Sequence, residues 1–519
     1  MSKITTVIDI GSNSMRMVVL EKSSRFAFSL INETKSRVKI SEGCYENGGN
    51  LQEIPMERAY QSLKSFLNIS NALKSRKVLC VATSALRDAP NSKVFLNRVK
   101  NDLGLSIKVI DGEKESYFGG VATSNLLHDD EFITIDIGGG STEFCFVKDK
   151  KILKSISLNI GTVRIKELYF NKNNIKGAKD YILENLKKVF EQNIDIPSKA
   201  VGIGGSIRTL SKMIMDKNEY PLDAIHGFTY NVKAEKKLFE NILKADTNDE
   251  LQELGVKKDR FDTIKEGTFI FKTILDELDI KEVVTSGVGV REGVYLTDLL
   301  RNSNHRFPNN FNVSVKSLLD RFELNEKQSA YFGNNAKKIF EVLKPLHNLD
   351  DKFKELLVVS SKLHSVGSSL NFYKKNDNAF EFILNGLNYD FQHTSRVIVA
   401  HTIKFSKKSL PKQSDIEEYK ELLPNLETMQ WLSFMIALNI AVNTDFSCPK
   451  VSYILDDDIL RLKLPNRSFL INSYIGCCYL LVLCVPLLGP QVFPAADLLL
   501  HCCLLLRRTL PLTTFRRHT

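Results

Sequence analysis

The sequence predicts an α/β protein of two related lobes facing each other across a cleft, followed by an α-helical domain. Three observations predict it. Asp136-Ile-Gly-Gly-Gly-Ser-Thr-Glu143 lies between apolar runs, Phe132, Ile133 and Ile135 before it and Phe144, Phe146 and Val147 after it, so it reads as strand, tight turn, strand. The same design stands earlier at Asp9-Ile-Gly-Ser-Asn-Ser14, again between apolar strands. Beyond the polar stretch 301–310 the pattern changes to helical spacing, with Val315, Leu318, Leu319 and Phe322 sharing one face.

The glycine turn is suited to phosphate. Glycines without a Cβ reach φ > 0, so successive backbone N–H groups can converge on an anion, and Asp136 and Glu143 at its rims are placed to hold a counter-cation.

At 519 residues the chain exceeds one ordinary core, and two to four domains are expected. A net charge of +10 suits a polyanionic ligand and equally a set of solvated basic faces. In the first 450 residues only Cys44, Cys80, Cys145 and Cys448 occur, without paired spacing, which argues against a zinc site or disulfide framework and for a reducing compartment; the other five cysteines lie after Asn472. The start of the chain runs straight into a short strand interrupted by Asp9, so no secretory signal is expected and the default location is the cytoplasm.

In chain order, the first hairpin fills residues 1–20, with Arg16 just after its turn. Residues 55–67 read as an amphipathic helix, with Ala59, Leu63, Phe66 and Leu67 on one face. A buried strand over 78–83 then delivers Arg87 beside its C-terminal end, where ligands of open α/β sheets sit; alone, Arg87 also reads as a surface helix arginine. Asp111-Gly-Glu-Lys-Glu-Ser-Tyr117 opens a helix whose Glu113 and Glu115, taken by themselves, serve the helix dipole. Residues 200–210 form a strand, a turn at Gly204-Gly-Ser206 and a helix start, a second anion site or simply a close strand–helix contact. A strand ending in glycines, 283–293, closes this half. Neither a GxxxxGK[ST] loop nor a GxGxxG turn opening a helix is present, which removes Walker-type and Rossmann readings. After the helical stretch, a small β element is expected over 451–464. Residues 469–496 carry no charge yet contain Pro486, Pro490 and Pro494, so the tail is a poor spanning helix; membrane anchor, oligomeric contact and anomalous translation stay open for it.

Taken together, Asp9 to Ser14, Ala82-Thr-Ser-Ala-Leu-Arg87, Gly112-Glu-Lys-Glu115, Asp136 to Glu143, Gly204-Gly-Ser206 and Arg291-Glu-Gly293 resemble, in order and rough spacing, the exopolyphosphatase/guanosine pentaphosphate phosphohydrolase (Ppx/GppA) family. The resemblance spans about residues 3–465. It implies two actin-like (ASKHA, ribonuclease H-like) lobes at 1–122 and 123–300, a helical HD-like domain at 311–465, and an anomalous apolar tail at 466–519. It implies a hydrolase releasing terminal phosphate from inorganic polyphosphate or converting guanosine pentaphosphate. Glu115 then matches the catalytic glutamate, Asp136 and Glu143 match magnesium positions, and Asp9 adds an outer-shell contact. Ser12, Asn13, Arg87, Gly138, Gly139, Gly140 and Ser141 match phosphate-contacting elements, and Gly204, Gly205 and Ser206 are assigned with them. Relatives carry His-Asp-x-Gly in the third domain where this chain has His364-Ser-Val-Gly367, so Ser365 leaves the HD metal site without its aspartate. No nucleic acid or membrane partner is expected, and a homodimer is the oligomer to test. Lys404, Lys407, Lys408 and Lys412 are candidates to carry a long substrate, or are merely solvated. Two rival classes stay open, an ATP-dependent phosphotransferase of the same superfamily and a non-enzymatic polyphosphate or alarmone sensor.

Overall fold

The computed structural model describes residues 3–406, 410–443, 448, 450–456, 459–463 and 480–484. The chain divides into two units, Met1–Val313 with Asn388–Gln392, and Ser314–Leu387 with His393–Thr519.

The first unit contains two sheets built on one plan. Strands β1 (Lys3–Ile10), β2 (Met15–Lys22) and β3 (Phe28–Ser36) form an antiparallel meander. Helix α1 (Glu53–Ala72) then returns the chain so that β4 (Lys77–Ala82) joins β1 in parallel on its other side. The short helix α2 (Ser84–Asp88) and α3 (Ser92–Leu103) lead to β5 (Lys108–Val109), which completes the order β3-β2-β1-β4-β5. The side chains explain the layers: Ala59, Leu63 and Phe66 of α1 are buried with Ile8, Ile10, Met17 and Val19 of the meander. Burying that apolar face stabilises a helix in water far more than its propensity does.

Helix α4 (Gly112–Leu126) starts where Asp111 accepts a hydrogen bond from the Lys114 amide at 2.7 Å, an N-cap that fixes the first turn and Glu115 within it. The plan then repeats. Strands β6 (Phe132–Ile137), β7 (Thr142–Lys148) and β8 (Lys151–Leu158) make a second antiparallel meander. After α5 (Thr162–Leu168) and α6 (Ile175–Phe190), β9 (Lys199–Ile203) adds to β6 in parallel, as β4 adds to β1. Helix α7 (Gly205–Lys217) follows. Strand β10 (Thr229–Asn231), helices α8 (Val232–Lys244), α9 (Asn248–Glu253) and α10 (Ile264–Glu277), strand β11 (Glu282–Thr285) and helix α11 (Val290–Leu299) finish the sheet in the order β10-β11-β9-β6-β7-β8. The expected hairpins at both glycine turns and the expected helix starts at 112 and 205 are present. The stretch 301–310, polar as it reads, is packed: Phe307 contacts the ring of Phe26 edge-on, and Asn125 donates to the His305 carbonyl at 2.9 Å.

The second unit is largely helical: α12 (Val313–Arg321), α13 (Glu326–His347), α14 (Asp351–Leu363), α15 (Lys375–Gly386), α16 (His393–Lys404), α17 (Gln413–Ile416) and α18 (Leu426–Ala441). Phe332, Ile339, Phe340, Leu357, Val399 and Met435 are buried in it. Strands β12 (Ser452–Asp456), β13 (Ile459–Lys463) and β14 (Leu480–Cys484) form an antiparallel sheet, tied to α13 where Asn335 donates to the Tyr453 hydroxyl at 2.6 Å. Apart from Leu480–Cys484, the apolar tail at 466–519 lies outside the described residues, as do Lys407 and Lys408.

Candidate active site

Pairing register places the carboxylates of the cleft. In the first hairpin Asp9 stands opposite Arg16, and in the second Asp136 stands opposite Glu143. One hairpin thus carries an opposite-charge pair, while the other carries two acids face to face, an arrangement that destabilises a sheet while both are charged. Both hairpins and the starts of α4, α7 and α11 converge on a cavity of about 150 Å³. Its lining includes Asp9, Ser12, Asn13, Glu115, Asp136, Gly138, Gly139, Ser141, Glu143, Gly204, Gly205 and Ser206. Thus almost every residue singled out from the sequence faces one space. Gly140 and Arg87 stand just behind it. Arg87 reaches Glu115 at 3.0 Å and the Ser141 hydroxyl at 3.5 Å, and the Gly140 carbonyl accepts from Arg164 at 2.8 Å.

The glycines of the second turn are required for a reason other than the one expected. None of Gly138, Gly139 and Gly140 has positive φ; the turn's conformation is open to other residues, and steric contact is what excludes them. A Cβ on Gly139 would lie 2.6 Å from the Ser12 Cβ, and one on Gly140 would lie 2.6 Å from the Ser84 Oγ and closer still to the Tyr45 hydroxyl. The turn of one lobe is therefore pressed against residues of the other. Gly204 is the true left-handed position, at φ 98°, with the Ile137 carbonyl 2.7 Å from where a Cβ would be.

Burial shifts the acids upward. Asp9 and Asp136 are each raised to about 6, by burial first; Arg291 and Arg16 pull Asp9 back, and Arg208 pulls Asp136 back. Glu115 is raised well above the ordinary value by burial and then by the Glu143 charge, against the pull of Arg87. Glu143 is raised by burial and by Asp136, although the Ser157 hydroxyl donates to it at 2.8 Å. These acids lack an opposing charge of sufficient size.

Four arginines also line the cavity: Arg16, Arg208, Arg260 and Arg291. The sequence reading gave them no role. Arg208 is lowered to about 10 by burial and by repulsion from Arg16 and Arg291. Its guanidinium is fixed by the Ser286 and Val288 carbonyls at 2.7 and 3.3 Å, which leave its positive charge unneutralised. Arg291 donates to Glu33 at 2.7 Å, and Arg16 lies 3.9 Å from the same carboxylate. The Arg260 guanidinium lies against Gly205, 2.5 Å from where a Cβ would be. Four arginines gathered around one cavity, with Glu33 shared between Arg16 and Arg291 and Asp259 beside Arg260, form a field suited to an anion of several charges. Arg16 could have been found from its place opposite Asp9 in a hairpin, whereas Arg260, in a short turn at residues 258–260, had no signal in the sequence.

A divalent cation fits the acids. The Asp9 Oδ1 is buried without a hydrogen-bond partner, and Asp136 and Glu143 oppose each other across the hairpin. Among the described residues no group of three or more His, Cys, Asp or Glu is disposed to hold a metal alone. Such a site suits magnesium, which keeps several waters and takes substrate phosphate oxygens beside one or two carboxylates.

In the helical unit, the His364 Nδ1–H donates to the Ser361 carbonyl at 2.8 Å and its ring centroid lies 4.2 Å from that of Phe332, the rings tilted by 58°; burial lowers its pKa to about 4. The Lys404 ammonium lies 4.3 Å from the Phe380 ring centroid. Among the described residues no helix is long and apolar enough to cross a membrane.

The profile of the Ppx/GppA phosphatase family matches residues 18–302. The chain is 34% identical over 288 residues to a bifunctional 3-dehydroquinate synthase/phosphatase of Fusobacterium nucleatum, a match covering 52% of this chain and 42% of that protein. It is 25% identical over 485 residues to a guanosine-5'-triphosphate,3'-diphosphate pyrophosphatase of Pseudoalteromonas translucida, covering 89% of this chain and 92% of that one. The crystal structure of an Aquifex aeolicus Ppx/GppA family member superposes with a TM-score of 0.50 at 30% identity, over 58% of this chain and 99% of the other. With the duplicated actin-like sheets and the glycine-turn cleft between them, these matches place the chain: it belongs to the Ppx/GppA phosphatase family.

Proposed function

We propose that the chain hydrolyses a terminal phosphoanhydride, in inorganic polyphosphate or at the 5′ end of guanosine pentaphosphate. The observation that carries this reading is the placing of one buried glutamate, Glu115, in the same cavity as a glycine turn and four arginines. Phosphoryl transfer asks mainly for positioning and for neutralisation of charge, and this cavity provides both.

The terminal phosphoryl group sits at Gly138–Ser141, with Ser12 and Asn13 facing it from the other lobe and Gly204, Gly205 and Ser206 closing the third side. Arg16, Arg208, Arg260 and Arg291 take the charge of the phosphates behind it. Glu115 accepts the proton of the attacking water as the water's oxygen bonds to the terminal phosphorus and the bridging P–O bond breaks, its electrons staying on the oxygen of the shortened chain. Arg87 holds that carboxylate in place at 3.0 Å. A general base works best when its pKa lies near the working pH, and burial has moved Glu115 in that direction. Asp136 and Glu143, with Asp9 behind them, would hold magnesium, which when bound supplies positive charge to the phosphate oxygens.

The helical unit fits an HD-like domain that has lost its metal pair, His364 being followed by Ser365, and serves as a structural or substrate-holding part. A cytoplasmic location belongs to the same reading, supported by the unpaired spacing of Cys44, Cys80, Cys145 and Cys448.

The test is phosphate release from both substrates side by side, with magnesium and no acceptor but water. Release by the wild-type chain, strongly reduced in Glu115→Gln, supports the hydrolase. Tight binding of either substrate with no release in the wild type overturns it.

A further inference from the structure

A second basic cavity, of about 460 Å³, lies at the opposite end of the same strands. The catalytic cavity is at the C-terminal ends of β1 and β4; this one is at their beginnings, around Lys3–Thr5 and Arg76–Lys77. Along β1 the six steps from Lys3 to Asp9 amount to about 20 Å at a strand's rise per residue.

Six cations line it, Lys3, Lys22, Arg25, Arg76, Lys77 and Arg301, against one acid, Asp298. Asp298 is already engaged, 2.6 Å from Lys77 and 3.7 Å from Arg301. The C-terminal end of α11 at Leu299 adds a partial negative charge of only about half a unit, far short of the balance. Lys3 and Lys22 are directly opposite each other in the β1/β2 register, a like-charge pair that weakens the sheet. Among the described residues neither they nor Arg76 has a carboxylate partner within ion-pair distance. A solvated basic face would explain charges alone. A second observation points to a ligand: Tyr295, 3% exposed, lines this cavity, and its hydroxyl is buried with no hydrogen-bond partner. A buried hydroxyl without a partner costs roughly 1–3 kcal/mol, a cost that an acceptor oxygen from a ligand removes.

We propose that this cavity is a second, non-catalytic binding site for a condensed phosphate anion, with Lys3, Lys22 and Arg76 on the phosphates and the Tyr295 hydroxyl donating to one oxygen. An inorganic oligophosphate and a nucleoside triphosphate share that chemistry. The site does not depend on the proposed hydrolysis, because it uses none of the cleft residues.

The experiment is calorimetric titration of the full chain in chelator with inorganic tripolyphosphate and, separately, with ATP. Wild type should bind tripolyphosphate in a salt-sensitive way at this site. The triple variant Lys3→Ala, Lys22→Ala, Arg76→Ala should weaken that binding on the order of a hundredfold while phosphate release in the cleft is retained. Tyr295→Phe should weaken it about tenfold while the thermal midpoint of the free protein does not fall, because the unpaired buried hydroxyl is gone. ATP binding at least as tightly as tripolyphosphate assigns a nucleotide; the reverse assigns inorganic oligophosphate. Unchanged titrations in the triple variant with both probes overturn the proposal. Absence of phosphate release in the wild type, with the triple variant's binding deficit still observed, would count against the hydrolase reading and leave this site standing.

Discussion

Arg87 donates through Nη1 to the Glu115 Oε2 at 3.0 Å, and its other terminal nitrogen reaches the Ser141 hydroxyl at 3.5 Å. One guanidinium therefore couples the proposed base to the turn that cradles phosphate. Glu115→Gln keeps the size of the side chain but cannot take the proton, so kcat should fall roughly 10²–10⁴-fold with substrate affinity kept. Burial already opposes the charge of Glu115, so the thermal midpoint should not drop. Single-turnover phosphate release with full activity in this variant would remove Glu115 from the mechanism.

Arg87→Met tests the same pair through pH. The Arg87 charge lowers the Glu115 pKa, so its removal raises that pKa further. The ionised carboxylate is the active base. The acid limb of the kcat/KM profile should therefore move to higher pH, together with a loss of activity; a profile that only drops, with its acid limb in place, would show that Arg87 acts on substrate and not through Glu115.

The acids of the second hairpin give a metal prediction. Asp136 and Glu143 face each other in register, and on the proposed reading a divalent cation bound between them relieves their repulsion. Chelation should abolish turnover, and Asp136→Asn should raise the magnesium needed for half-maximal rate. The folded protein should also gain thermal stability on adding magnesium in the wild type and gain less in Asp136→Asn. Full activity in chelator would sink this assignment.

Gly139→Ala would push a methyl group to 2.6 Å from the Ser12 Cβ, across the cleft. Overpacking of this kind costs about 1–3 kcal/mol. Urea unfolding should show that loss, and Ser12→Gly in the same chain should restore most of it by removing the atom in the way. Failure of the double variant to recover would mean that the backbone conformation, not the contact, requires glycine at 139.

His401 supplies a pH test of the helical unit. It is 1% exposed, bonded through Nδ1 to the Val397 carbonyl at 2.9 Å, and burial lowers it from 6.5 to about 4. A lowered folded value means that the unfolded chain holds the extra proton between those two values. Stability contributed by the neutral ring is thus present above pH 6.5 and is lost as pH falls toward 4, by roughly 3 kcal/mol at most. His401→Phe, which keeps an aromatic ring beside Phe380 and Tyr419, should flatten that part of the stability profile measured by urea unfolding. An unchanged slope in the variant would assign the pH dependence elsewhere.

The sequence by itself determined the two hairpins, the helix starts at Gly112 and Gly205, and the two glycine turns with Asp9, Asp136 and Glu143 at their edges, because these rest on local chemistry, while Glu115, Ser12 and Asn13 were assigned to the cleft through the family resemblance. Alternating apolar residues define a strand, an aspartate before a turn caps a helix, and glycine marks close approach, all within a few residues of one another. The tertiary structure decided what depends on residues far apart in the chain. It alone set Gly139 against Ser12, joined Arg87 to Glu115, and gathered Arg16, Arg208, Arg260 and Arg291 from four separate segments into one field. It also replaced the expected reason for the glycine turn, positive φ, by a steric one. The physical ground of the division is range: backbone preference and periodicity act between neighbours, whereas burial, charge repulsion and packing against another lobe act through space, and these are what fix the protonation and the cation pattern of the site.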